Sequence, residues 1–249
     1  MKIPATSPFT PLQREARDLG QTPDKRLHIE GVRWGIEKGP DGKITDNGVF
    51  GDAFIEPSKV QDVFLVIKPF VDKPGNAPGH ALLDFEFQPD APVVDSQGHK
   101  DSGLVLSVEM HLRTGEDFDP ADAIENPRPI MYQVGTWSDA IEKATVHDHD
   151  PLQRYKLKLT QEQKVSLLEE RLRSATRDHS TDLYHPIINS CLSTVIDGVN
   201  LVVPEKQRIP HNDASGNPIP SSTIPIWCKT QFQSHGLLAQ FTPEVIPAA

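Results

Sequence analysis

The residues best suited to chemistry lie between 184 and 200, Y-H-P-I-I-N-S-C-L-S-T-V-I-D-G-V-N. Pro186 disfavours helical dihedrals at His185, so the chain enters extended. Asn189 or Ser190 then caps a helix predicted over residues 191 to 197, with Gly198 as its C-terminal stop. Cys191 falls in the first turn, where the helix macrodipole favours an anion and lowers a thiol pKa. A thiolate held in that way is a candidate nucleophile for covalent catalysis. The ordinary alternatives are a buried, unreactive thiol or half of a disulfide, because free cysteines are among the most buried residues. Cys228 is the other cysteine in the chain, so it is the one disulfide partner on offer.

Thiol catalysis needs a base that is usually remote in sequence and adjacent in the fold. Among ten histidines, His80 is the best placed, since it opens a strand after a glycine-rich loop and can face a helix N-terminus packed on the sheet. A third polar residue should orient the imidazole. His111, on the polar face of the next strand, is the candidate, with Glu109 behind it; a solvated sheet position is the competing account of both. H-D-H-D at 147 to 150 is a rival site, because imidazoles and carboxylates both ligate divalent metals. Neighbours in an extended loop point in opposite directions, however, and no H-E-x-x-H follows. That segment therefore reads as a hydrated acidic loop, and neither a metal site nor a cofactor is expected.

The elements that must position these residues follow from length and patterning. A chain of 249 residues sustains one large core. The reading divides it into an irregular arm, residues 1 to 25, and a single α+β domain, residues 26 to 249, with a long loop at 204 to 222. A formal charge of −10 argues against nucleic acid as a partner. No run approaches 18 apolar residues, so no membrane span is expected, although transient membrane contact stays open. Residues 1 to 13 lack a signal-peptide core. The expected compartment is periplasmic or otherwise extracytoplasmic if a leader was removed, and cytoplasmic if Met1 is the native start. Oligomeric state is not legible.

Strands are predicted at 27 to 34 and 49 to 55, and at 60 to 70 with both faces buried. At 80 to 87, Ala81, Leu83, Phe85 and Phe87 form one face and His80, Leu82, Asp84 and Glu86 the other. Residues 104 to 113 alternate likewise, which suggests an antiparallel pair with one buried face. Further strands are expected at 130 to 134, at 154 to 160, and as a closing pair at 224 to 228 and 237 to 241. A short helix from 137 would be capped by Ser138. Thr160 and Gln163 form a capping box for the clearest helix, in which Val165, Leu168 and Leu172 recur at helical spacing.

In order, the chain shows D-V-F-L-V-I-K-P-F, G-H-A-L-L-D-F-E-F, W-S-D-A-I, R-Y-K-L-K-L-T-Q-E-Q-K-V-S-L-L and L-Y-H-P-I-I-N-S-C-L-S-T-V-I-D-G-V-N. This succession, over residues 60 to 200, resembles the Lnb N-terminal periplasmic domain family, a relative of the NlpC-type, permuted papain-like thiol enzymes. The resemblance implies an α+β fold in which an antiparallel sheet carrying the histidine packs on a helix carrying the cysteine. It implies cysteine-dependent hydrolysis or acyl transfer at an amide or ester, on an acyl-lipid, lipoprotein or peptide-like substrate. Cys191 then matches the nucleophile and His80 its base, while Asn189 and Tyr184 match the asparagine and tyrosine that lead into the cysteine. In that pattern the asparagine directly precedes the cysteine, whereas Ser190 intervenes here, which would re-aim an oxyanion-hole amide at Asn189. The alternative is a non-catalytic binding or scaffold domain of the same fold, with Cys191 structural or bonded to Cys228.

Overall fold

A computed structural model describes residues 9–70, 79–116 and 118–249. Its strands are β1 (Arg17–Gln21), β2 (Leu27–Lys38), β3 (Ile44–Ile55), β4 (Val60–Lys68), β5 (His80–Phe87), β6 (Val93–Val94), β7 (Lys100–Asp101), β8 (Gly103–Met110), β9 (Ile130–Thr136), β10 (Leu152–Lys156) and β11 (Glu244–Ile246). The helices are α1 (Pro120–Glu125), α2 (Trp137–Ile141), α3 (Gln161–Thr176), α4 (Cys191–Val202), α5 (Pro220–Thr223) and α6 (Pro225–Ser234). The fold is α+β. Among the described residues the strands form one sheet in the order β11-β10-β4-β5-β8-β9-β2-β3-β6-β7, with β1 paired to β2 off this path. The sheet is mixed rather than purely antiparallel, because β2 and β9 run parallel and meet through Arg33 and Gly135.

The two faces of β5 divide the interior. Ala81, Leu83, Phe85 and Phe87 join the main core with Leu168 and Leu172 of α3 and Leu192, Val195 and Ile196 of α4. Leu82 lies on the other face, in a second cluster with Val66, Val105 and Ala144 against Trp137 and Ile141. Both faces are thus covered, where the alternation suggested one. Asp84 tolerates complete burial on that second face because Arg154 donates to it from Nε at 2.8 Å.

Several expectations are corrected. The arm at 1 to 25 contains the strand β1, and its first eight residues lie outside those described. The helix from 137 is capped by Thr136, which accepts from the Asp139 N–H, and continues into a π-helical turn, Glu142–His147. Residues 225 to 228 belong to helix α6 rather than a strand, with Ile224 as its N-cap, since Pro225 supplies a preset first turn. The 237 to 241 segment forms an isolated antiparallel bridge, Leu238 opposite Leu157, with the backbone of Leu237 and Ala239 bonded to Lys158 and Lys156, rather than a strand. The sheet edge is closed instead by β11 on β10. The glycine-rich loop before His80 falls mostly within 71–78, outside the described residues.

Helix α4 runs to Val202, past the stop expected at Gly198. Gly198 is instead where α3 passes close. A Cβ there would stand 2.8 Å from Arg171 Nε, and buried Arg171 is held by donating to the Thr194 carbonyl at 2.9 Å. Alanine usually exceeds glycine by about 1 kcal/mol in a helix interior. Here Gly198→Ala is expected to lower stability by about 1–2 kcal/mol through overpacking, read as a fall in the thermal unfolding midpoint.

Candidate active site

The head of α4 is fixed by reciprocal capping. Ser190 accepts from the Ser193 N–H at 3.3 Å, and Ser193 Oγ accepts from the Ser190 N–H at 2.8 Å. Ser190 is therefore a structural cap, and Cys191 becomes the first helical residue. Asn189 turns the other way, donating from Nδ2 to the Leu183 carbonyl at 2.9 Å. Tyr184 is buried, anchored by its backbone N–H on the Arg128 carbonyl, and its ring meets Phe118 edge-on.

The Cys191 sulfur is enclosed at the start of β5. The backbone N–H groups of Ala81 and Leu192 and the Tyr184 hydroxyl all hydrogen-bond to it. Each favours the thiolate, yet burial outweighs them and pushes the thiol up to about 11, with Glu109 adding in the same direction. This corrects the expectation of a lowered thiol pKa: a helix terminus contributes modestly, whereas removing a buried anion from water costs more. Cys191 and Cys228 are both free and buried, so no disulfide joins them.

His80 is reached through strand register. Leu82 pairs with Ser107 across β5 and β8, and one step of the same register sets His80 opposite Glu109. His80 also pairs with Lys68 across β4. By alternation His80 shares the face of Leu82, whereas Cys191 packs with Ala81. The two residues approach from opposite faces and both line one cavity of about 760 Å³ at the end of the sheet. His80 Nε2 is enclosed and has no hydrogen-bond partner among the described residues. Burial drives the imidazole down to about 4, against Glu109, while Lys68 and Lys143 push it the same way as burial.

Glu109 is the acid beside His80. Burial would raise its pKa, but the positive charges of His80 and Arg33, the Gln13 amide at 2.9 Å and Lys143 together hold it at about 2. Ser107 Oγ also donates to it at 3.0 Å. His111 lies elsewhere: its ring stacks on Phe9 with centroids 3.7 Å apart, and it does not line the cavity. Lys68, Lys143 and Gln133 add to the polar wall, none of them signalled by a sequence motif.

H-D-H-D is partly drawn into this wall. Asp148 accepts from Lys68 at 2.7 Å, from Lys143, and pairs with His147 Nδ1 at 2.6 Å. Burial opposes its ionisation, but these partners hold its carboxyl far below the usual range. Two ammonium groups thus occupy the space beside its carboxylate. Among the described residues no group of three or more His, Cys, Asp or Glu is arranged to hold a metal.

The fold and site define an α+β domain in which a capped helix presents a buried cysteine to the end of a sheet bearing a histidine and a glutamate. Residues 49–226 match the family model of the Lnb N-terminal periplasmic domain, and the chain belongs to that family. No curated protein matches the chain. Nor does any solved structure. The family is one of periplasmic domains, and no helix among the described residues is long and apolar enough to cross a membrane.

Two measurements test the electrostatics. Iodoacetamide should label native Cys191 slowly at pH 7, with a rate rising about tenfold per pH unit toward about 11; a plateau near neutrality would show that the thiol is not held protonated. His80 titrates at about 4 folded, against 6.5 for a free side chain. Between those values the unfolded chain binds more protons, so stability falls as pH falls. The gap is worth at most about 3 kcal/mol, and His80→Gln should flatten the urea midpoint across that window.

Proposed function

We propose that the protein is a cysteine-dependent hydrolase or acyltransferase acting on an amide or ester, with Cys191 as nucleophile and His80 as base in a permuted papain-like arrangement. The observation that carries this reading is the convergence of Cys191, Tyr184, His80 and Glu109 on one cavity, with hydrogen-bond donors gathered around the sulfur. The volume of about 760 Å³ falls within the common range for small-molecule sites, about 300–1,000 Å³.

At neutral pH the thiol and the imidazole are both uncharged. As a substrate carbonyl approaches, the thiol proton passes to the imidazole while sulfur bonds to carbon and the carbonyl electron pair moves to oxygen. The backbone N–H of Cys191 at the head of α4 and the Tyr184 hydroxyl are the donors at hand for that oxyanion. The imidazolium gains from ionised Glu109 across the strand pair, then protonates the leaving amine or alkoxide. The resulting thioester passes its acyl group to water or to an amine. Substrates of this kind are acyl-lipids, lipoproteins or peptide-like amides, the first two reached through transient membrane contact.

A second reading, a non-catalytic binding or scaffold domain, is favoured by the raised thiol pKa and the enclosed Nε2 of His80. Turnover of p-nitrophenyl acyl esters separates the two. Cys191→Ala should abolish turnover and leave the circular dichroism spectrum unchanged; turnover that survives this change removes the nucleophile assignment. Glu109 raises the His80 pKa, so Glu109→Gln should slow turnover and move its acid limb, near pH 4 in the parent, to lower pH.

A further inference from the structure

The sheet face under α2 carries a regular grid of side chains. Strand register sets Lys68, His80, Glu109 and Met131 in one row, and Val66, Leu82, Ser107 and Gln133 in the next. Gln133 lines the same cavity as Cys191 and is only 4% exposed. Its Nε2 donates to the Val134 carbonyl at 2.9 Å. That bond fixes the amide orientation, since a flip would set two oxygens against each other. Its Oε1 is enclosed and has no hydrogen-bond partner among the described residues. Ser107, beside Gln133 in the grid, has its Oγ engaged with Glu109, and Gln13 Nε2 bonds Glu109 and the Met110 carbonyl. A buried acceptor kept without a donor is unfavourable for folding and calls for a reason outside folding.

We propose that Gln133 is a substrate-binding residue whose Oε1 accepts an amide N–H carried by the substrate at a distance from the reacting carbonyl. Two strand spacings separate β5 from β9, roughly 10 Å at about 4.8 Å each. An extended peptide-like chain covers that distance in about three residues. The inference rests on the reading of Cys191 as nucleophile and narrows its substrate to a chain with backbone-like amides, in place of an acyl lipid without them.

Iodoacetyl-capped tetrapeptide amides, N-methylated at one amide at a time, test this through the rate of Cys191 alkylation, located by peptide mass spectrometry. In the parent protein, methylation at one position about three residues from the reactive carbon should slow labelling about five- to tenfold relative to the unmethylated probe. Gln133→Leu should bring that ratio to near one. A parent protein indifferent to methylation at every position overturns the proposal, whether or not the variants fold. So does a Gln133→Leu variant in which the ratio stays as in the parent. Ester turnover surviving Cys191→Ala would sink the nucleophile assignment alone, because the labelling ratio reports recognition in the cavity independently of turnover.

Discussion

The contact between the first turn of α4 and the first residues of β5 is the constraint on which the rest depends. Reciprocal capping by Ser190 and Ser193 ends the extended approach and starts the helix at Cys191. The sulfur is then pinned by amides from two elements, Leu192 on its own helix and Ala81 on the strand. Leu192, Val195 and Ile196 hold this docking by burying against the sheet. The apolar contact sets the distance, and the hydrogen bonds set the direction.

That docking buries titratable groups which would rather be in water, and the structure offsets the cost by pairing. Glu109 stays ionised among His80, Arg33, Lys143 and Gln13; Asp148 does so among Lys68, Lys143 and His147. Cys191 and His80 gain too little from such partners, so burial leaves both uncharged at neutral pH. A neutral pair holds its proton on sulfur until something that develops negative charge draws it off. Reactivity in such a site is gated by what enters it rather than by a standing thiolate.

Much of the local structure could be read from the chain. The alternation of residues 80 to 87 and the Thr160/Gln163 capping box both reappear, because strand period and capping chemistry act between residues close in sequence. The misreadings came where a distant partner intervened. Gly198 looked like a stop because glycine commonly ends helices, but the neighbouring helix needs that missing side chain. Residues 224 to 228 looked like a strand because a short apolar run fits either state, and packing against β4 and β5 chose the helix. The lowered thiol pKa was inferred from the helix end alone, with no knowledge of how deeply the sulfur would lie.

The start of the helix bearing Cys191, the strand opened by His80, the side chains that share each face of that strand, and the family are all written along the chain. These follow from interactions spanning a few residues, or from a pattern written along the chain. Packing alone sets Glu109 rather than His111 beside His80, brings Gln133 to the same cavity, and keeps the thiol protonated at rest. Each of these depends on register between strands and on depth below the surface. Both are properties of how remote segments pack, and no single stretch of sequence carries them.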